Sequence, residues 1–360
     1  MEKLIVVGGS IAGGFSAFNL AKNFDVEIIE EHPHFKKTCS GILTDPVNGL
    51  INVKNSIIEN KVKKFRIYSP NNDFLELNFK KPDIIFNREK LNRYIVDIAV
   101  KNGAILKQNV KFIGIEGSKV ILQNNKKKIP VTTKYLVGAD GALSSVAKSV
   151  NLFKDRKFFL AAKAIIKCRN DNAIEVFPHY GCFSWAVPRN EEELEIGTMA
   201  HFNDSQAFNQ FLSRFKSKIL SKEASIIPIY NPKIRTYTKF NGINTYLVGD
   251  AATMAKATTG GSIMQSLIAA KILGSSIIKN KNYEEAWKKE IGKQLLIHLK
   301  IRKILDKFQA EEWNQAVKSL KDAKIKDMLE TKSRDNPEFI FKMLFLKPSL
   351  LKFSKVLLRN

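Results

Sequence analysis

An α/β chain is predicted, in which a parallel-sheet domain is interleaved with an antiparallel-sheet domain and followed by a helical C-terminal region. Three observations predict it. The segment from Leu4 to Glu30 reads as strand, tight glycine turn, helix and second strand. Residues 156 to 200 alternate short β-rich runs with turns. After Gly249 the pattern is helical to the end.

In chain order, the first apolar run, Leu4 to Val7, is a core strand, its helix starts near Ile11, and its parallel partner is Val26 to Ile29. Lys64 to Phe79 alternates polar and apolar residues around Pro-Asn-Asn, as a hairpin with one wet face does. From Asn87 to Ala104, Leu91, Ile95, Ile98 and Ala99 share one face and Gly103 is the stop, which predicts an amphipathic helix. Strands follow at Val110 to Ile115 and Val120 to Gln123. There is no repeat or low-complexity linker, so the domains are expected to alternate along the chain. The expected division is 1–60, 81–155 and 235–285 for the parallel-sheet domain, 61–80 and 156–234 for the antiparallel one, and 286–360 for the helical region.

The chain has 360 residues, 44% of them hydrophobic, enough for a large core and against a disordered or fibrous protein. The most apolar region, Phe339 to Leu358, is broken by Lys342, Lys347, Pro348, Lys352 and Lys355, so no spanning helix is expected. With Leu4 to Val7 already a core strand, nothing is left for a cleavable signal, and a cytoplasmic location is expected. Cys39, Cys168 and Cys182 are odd in number and without zinc-type spacing, which predicts reduced thiols and no metal site. Lys and Arg number 59 against 35 Asp and Glu, a formal charge of +24. A polyanion, nucleic acid or an anionic membrane, is one reading of that charge. Compositional bias is the other, given Lys/Asn/Ile-rich stretches such as Asn124 to Lys128.

Gly8, Ser10 and Gly13 occupy the three positions of a G-x-G-x-x-G loop between a strand and the helix that opens with Ile11 and Ala12. Gly8 permits the turn, the small Ser10 lets backbone approach a pyrophosphate, and Gly13 lets helix and strand pack closely. The helix N-terminus adds free N–H groups and a partial positive charge. Glu30, at the end of the second strand, is placed to accept hydrogen bonds from both hydroxyls of a ribose. This is a Rossmann-type dinucleotide site. His32 and His34 follow Glu30 as surface residues.

Two more loops follow the same plan. Tyr135 to Lys148 runs from a strand into Gly138, Asp140 and Gly141, and Tyr246 to Leu273 runs from a strand into Gly249 and Asp250, then Gly260, Gly261, Ser262 and Ile263. With the first loop these resemble the paired signatures of the para-hydroxybenzoate hydroxylase-like flavoproteins. The resemblance implies FAD, with Asp250 on the ribityl chain, the helix after it aimed at the flavin pyrimidine ring, and Arg88 at the start of the helix lining the cofactor. Asp140 is either a cofactor residue or a turn residue.

Three features narrow the resemblance to the geranylgeranyl reductases. Thr38-Cys39-Ser40-Gly41 is similar to that family's Cys-containing loop beside the flavin. Tyr180 to Pro188 followed by Gly197 resembles its aromatic strand motif, and the tail from Tyr283 through Asp335 to Phe339 has the look of its helical C-terminus. The family's proline before Thr-Gly is Ala257 here, its third glycine is Ser262, and the first tyrosine of the strand motif is Phe183. What this implies is hydrogenation of carbon–carbon double bonds in polyprenyl chains of membrane lipids, with NAD(P)H or a ferredoxin as electron donor and no nucleic acid partner. Phe183, Trp185 and Pro188 then suit a substrate wall, or plain sheet core, and Cys39 is a candidate proton donor, flavin neighbour or small buried residue. A monooxygenase of the same fold, or a membrane-peripheral protein keeping FAD for structure only, are the other expectations. The lysines of Phe339 to Leu358 point to peripheral contact with anionic lipid, or to a helix packed on the body.

Overall fold

The computed structural model describes residues 1–43 and 49–331, with 342, 345–349, 353, 355 and 356. The Asp335 to Phe339 motif lies outside the described residues, as does most of Phe339 to Leu358.

A six-stranded sheet has the spatial order Tyr237–Phe240, Ile243–Leu247, Tyr135–Gly138, Lys3–Val7, Asp25–Glu30, Ile105–Gln108. Every pair is parallel except the edge hairpin formed by the first two strands. Lys3–Val7 sits centrally, and Leu4, Ile5 and Val6 are fully buried, as a strand covered on both faces requires. The helix Ile11–Leu20 lies between two others, Arg88–Lys101 and Ile263–Ile278. Close approach is made by notches. A Cβ on Gly14 would stand 3.0 Å from Ile95, and one on Gly274 would stand 2.6 Å from the Cβ of Asn19. Asn87 caps Arg88–Lys101 by accepting from the amide of Lys90 at 3.0 Å.

An eight-stranded sheet has the order Ile219–Pro228, Phe158–Lys167, Glu193–Ala200, Phe183–Pro188, Ala173–Phe177, Ile58–Tyr68, Phe74–Phe86, Ile42–Leu43. The expected hairpin is present but longer than its alternating stretch, turning at Pro70-Asn71-Asn72 where Ser69 N–H donates to the Asp73 carbonyl at 2.8 Å. The sheet is not wholly antiparallel as expected. Ala173–Phe177 runs parallel to Ile58–Tyr68, because the chain traverses much of the other sheet between them. A third sheet joins Lys111–Glu116, Lys119–Asn124 and Lys127–Thr132. The sequence reading missed its last strand. The Lys-rich stretch is a hairpin loop, with Asn125 and Lys126 both at positive φ (46° and 65°), the two-residue turn that matches strand twist.

The C-terminal helices include Lys293–Leu305, Ala310–Leu320 and Ala323–Thr331. Val317, Ile325, Leu329 and Phe353 are buried against Leu75, Leu77 and Phe79 of the eight-stranded sheet. Phe353 and Val356 are thus packed on the body, whereas Phe345 is 85% exposed. Among the described residues no helix is long and apolar enough to cross a membrane.

Candidate active site

Strand register brings the three glycine loops together. Val7 pairs with both Gly138 and Ile29, and Gly138 pairs with Leu247, so the strands end level and the loops Gly8–Ser10, Ala139–Gly141 and Gly249–Asp250 leave the same sheet edge beside Glu30. Ligands of open parallel sheets bind outside that carboxyl edge. A cleft of about 280 Å³ lies there, lined by Gly8, Ser10, Glu30, Asp140 and Gly141 among others. The backbone is too crowded for side chains at two glycines. A Cβ on Gly8 (φ 105°) would stand 2.4 Å from the Ala139 carbonyl oxygen, and one on Gly13 only 1.8 Å from the Gly8 carbonyl oxygen.

Glu30 accepts from the amides of Gly9 at 2.8 Å and His32 at 2.9 Å. These bonds fix the carboxylate over the glycine loop, and His32 and His34 line the same cleft. Asp140 is turned inward. It accepts from Ser144 Oγ at 2.6 Å and from the amide of Val146 at 3.0 Å, organising the short helix Ser145–Ser149. Burial pushes its carboxyl pKa up, against the pull of those two donors. Arg156, which the sequence reading passed over, ties the loops together. Its guanidinium donates to the carbonyls of Ala251 at 2.7 Å and Ala142 at 3.5 Å, and desolvation brings its pKa down to about 10.

Asp250 pairs with Lys37 at 3.1 Å and its side chain is only 14% exposed. Burial works against its charge, but Lys37 and Ser262 outweigh this and hold the pKa below the usual carboxylate range. Its other oxygen, Oδ1, is buried without a hydrogen-bond partner, and so are Nε and Nη1 of Arg88. Unpaired buried polar atoms are costly and call for a missing partner. Hydrogen-bonding atoms of a dinucleotide fit that need. Gly260, at φ 67°, closes a loop in which its amide donates to the Lys256 carbonyl at 2.8 Å and Lys256 N–H donates to Gly261 at 3.0 Å, just before Ser262 and the helix beginning at Ile263.

The Cys39 loop is stitched to the eight-stranded sheet by a buried carboxylate that sequence reasoning missed. Glu195, fully buried, accepts from Ser40 Oγ, from Trp185 Nε1 at 3.2 Å, from Lys163 Nζ at 3.0 Å, and from Arg189. Lys163 also donates to the Cys39 carbonyl at 3.3 Å, and Arg189 reaches Glu59 at 2.8 Å. Desolvation opposes ionisation of Glu195, yet Arg189, Lys163 and Ser40 hold its pKa down to about 2. An acid between Leu194 and Ile196 in a β run was the one signal available. Cys39 Sγ accepts from the amide of Gly41 at 3.4 Å, and Gly41, at φ 69°, leaves no room for a Cβ beside the Phe86 carbonyl oxygen.

Trp185 and Phe183 are half-buried neighbours with ring centroids 5.4 Å apart. Trp185 pairs across strands with Gly197, whose Cβ would fall 2.2 Å from the indole. The glycine of the strand motif is therefore the seat of the tryptophan. Pro188 is buried and its carbonyl accepts from Asn60 at 2.9 Å.

If Glu30 holds a ribose, Glu30→Ala lowers flavin retention several-fold, because the acceptor and its two amide anchors go together, while a substitution at exposed Lys126 leaves it unchanged. Flavin content of the purified variants decides it, and equal content in both would remove the ribose assignment.

Fold and site define the class: this is the Rossmann-type fold of the FAD-dependent oxidoreductases. No family model matches the chain. A digeranylgeranylglycerophospholipid reductase of Methanocaldococcus jannaschii is 26% identical over 389 aligned positions, covering 98% of this chain and 96% of its own. Among solved structures, a geranylgeranyl bacteriochlorophyll reductase-like protein of Thermoplasma acidophilum superposes with a TM-score of 0.82 at 19% identity, covering 98% of each chain. A myxobacterial FAD-dependent halogenase superposes at 0.67 with 12% identity, covering 94% of this chain and 92% of its own. These likenesses are to the geranylgeranyl reductases, the family that the motifs resemble.

Proposed function

We propose that this protein binds FAD at the loop edge of the six-stranded sheet and hydrogenates carbon–carbon double bonds of geranylgeranyl chains, most directly those of an ether-type phospholipid. The observation that carries the reading is the pairing of two features: the unpartnered buried atoms Asp250 Oδ1 and Arg88 Nε and Nη1 at a dinucleotide-shaped edge, and a Cys39 loop fastened through Glu195 to the aromatic strand. The relatives named for such lipids support the substrate class.

The chemistry that reduced FAD would supply, when bound, is hydride donation to the alkene. The chain's own residues bind and orient. Glu30 would hold the adenosine ribose, Asp250 Oδ1 and Arg88 Nε and Nη1 would find in the cofactor the partners they lack within the protein, and Gly8 and Ser10 would admit the pyrophosphate to the helix N-terminus. Phe183 and Trp185 offer an apolar wall that orients the prenyl chain and excludes water, which is the main service an isolated double bond needs. Cys39 is the candidate source of the second hydrogen, as a proton. Two electrons per bond enter from NAD(P)H or a ferredoxin, for which the surplus positive charge offers complementary docking, as it does for anionic lipid.

The test is Trp185→Ala. Its turnover with a geranylgeranyl lipid is expected to fall by roughly tenfold or more, since small misplacements near the chemistry are expensive, while flavin content stays near that of the unaltered protein. Parallel loss of both would make Trp185 a packing residue and remove the wall.

A further inference from the structure

A second cavity, of about 430 Å³, opens between the eight-stranded sheet and the C-terminal helices, lined by His179, Cys182, His201, Asp306, Phe308 and Trp313 among others. None of these residues lines the cleft at the glycine loops. One thiol, one imidazole and one carboxylate meet on its wall, with donor atoms of Cys182, His201 and Asp306 all within 4.8 Å of one another.

We propose that Cys182, His201 and Asp306 form a binding site for a divalent ion of the zinc class. The donor set, one sulfur, one nitrogen and one oxygen, is the mixture that borderline-soft zinc accepts, and three protein ligands leave a fourth position facing the cavity. The ligands are held by independent elements. Cys182 precedes the strand Phe183–Pro188 and His201 follows Glu193–Ala200, and the amide of Cys182 donates to the Met199 carbonyl at 2.7 Å, which keeps the two close. Asp306 follows the helix Lys293–Leu305.

An outer shell is already in place. Arg302, buried, donates to the Cys182 carbonyl at 3.0 Å and pairs through Nε with Asp306 Oδ1 at 2.7 Å, leaving Oδ2 for the site. Phe159 packs on the His201 ring at a centroid distance of 5.0 Å. Such partners orient metal ligands and tune them. His201 Nε2 stands 3.0 Å from Asp306 Oδ2, so the ion takes the place of the proton shared there, and the thiol proton leaves to solvent with it. His179 lines the same cavity, and burial followed by Arg214 holds its imidazole neutral, its pKa pushed down to about 4. The ion would fasten the C-terminal helices to the sheet that carries Trp185.

The test loads chelator-treated protein with zinc or cobalt and measures retained metal after desalting. One equivalent of zinc is expected, with a thiolate-to-cobalt charge-transfer absorption in the cobalt form and tighter binding at higher pH as proton competition falls. Cys182→Ser and His201→Gln are expected to lose the retained metal, Arg302→Lys to weaken binding about tenfold, and Cys168→Ser to keep it. Stoichiometric zinc without the cobalt–thiolate band, retention unchanged in Cys182→Ser, or no retained metal in the unaltered protein would each overturn the proposal. The cobalt spectrum reads the unaltered chain, so the result stands even if a variant fails to fold.

Discussion

Gly13→Ala is expected to destabilise the protein by about 3 kcal/mol or more and to abolish flavin retention. The added methyl would stand 1.8 Å from the Gly8 carbonyl oxygen and 3.2 Å from the Cβ of Ala139. The first obstacle is backbone of the glycine loop, which no rotamer change can clear, so helix and strand must separate or the loop must reshape. Overpacking of a tight core costs about 1–3 kcal/mol, and more where backbone must move. Gly292→Ala is the matched comparison. Its nearest neighbour is the Lys288 side chain at 3.4 Å, an ordinary contact, and removal of glycine from a helical stretch is worth about 0.5–1 kcal/mol in the stabilising direction. Urea unfolding of the two variants should move in opposite directions, and a Gly13→Ala protein as stable as the unaltered one would contradict the packing described for the loop.

Glu195→Ala is expected to cost about 3–5 kcal/mol, the range for removing one partner from a buried charge cluster. It would leave Lys163, which is 8% exposed, and the buried guanidinium of Arg189 without their common counterion, and would free Ser40 and Trp185 together. The same group sets an acid limit. Its pKa in the fold, about 2, lies below its ordinary value of 4.5, so its contribution to stability is fully present above pH 4.5 and is lost as pH falls from there toward 2. Unfolding followed against pH should show a loss of stability in that window that is absent from Glu195→Gln. Equal acid sensitivity in both would place the titrating group elsewhere.

The loops of the candidate site were legible because each sits at the end of an apolar run, where Gly8, Gly138 and Gly249 mark the strand ends and Glu30, Asp140 and Asp250 follow at fixed offsets. Local order along the chain was enough, since parallel register then brings strand ends level. The Glu195 cluster was not legible. Its members come from five separate segments, and only the pairing of Phe158–Lys167 and Phe183–Pro188 on either side of Glu193–Ala200 brings Lys163 and Trp185 to one carboxylate. Cys182, His201 and Asp306 were hidden for the same reason, with no short spacing to betray them. Asp140 shows the opposite limit: the motif was visible and left cofactor and turn roles open, and the partners of its carboxylate, Ser144 and Val146, come only from the folded turn.

The most direct test of the central claim is the mass of the lipid formed when dithionite-reduced protein is incubated with a geranylgeranyl phospholipid without oxygen. The account predicts products heavier by two hydrogen atoms for each double bond reduced, accumulating stepwise along the chain. An unchanged lipid under those conditions, with oxygen inserted instead when NAD(P)H and air are supplied, would contradict it.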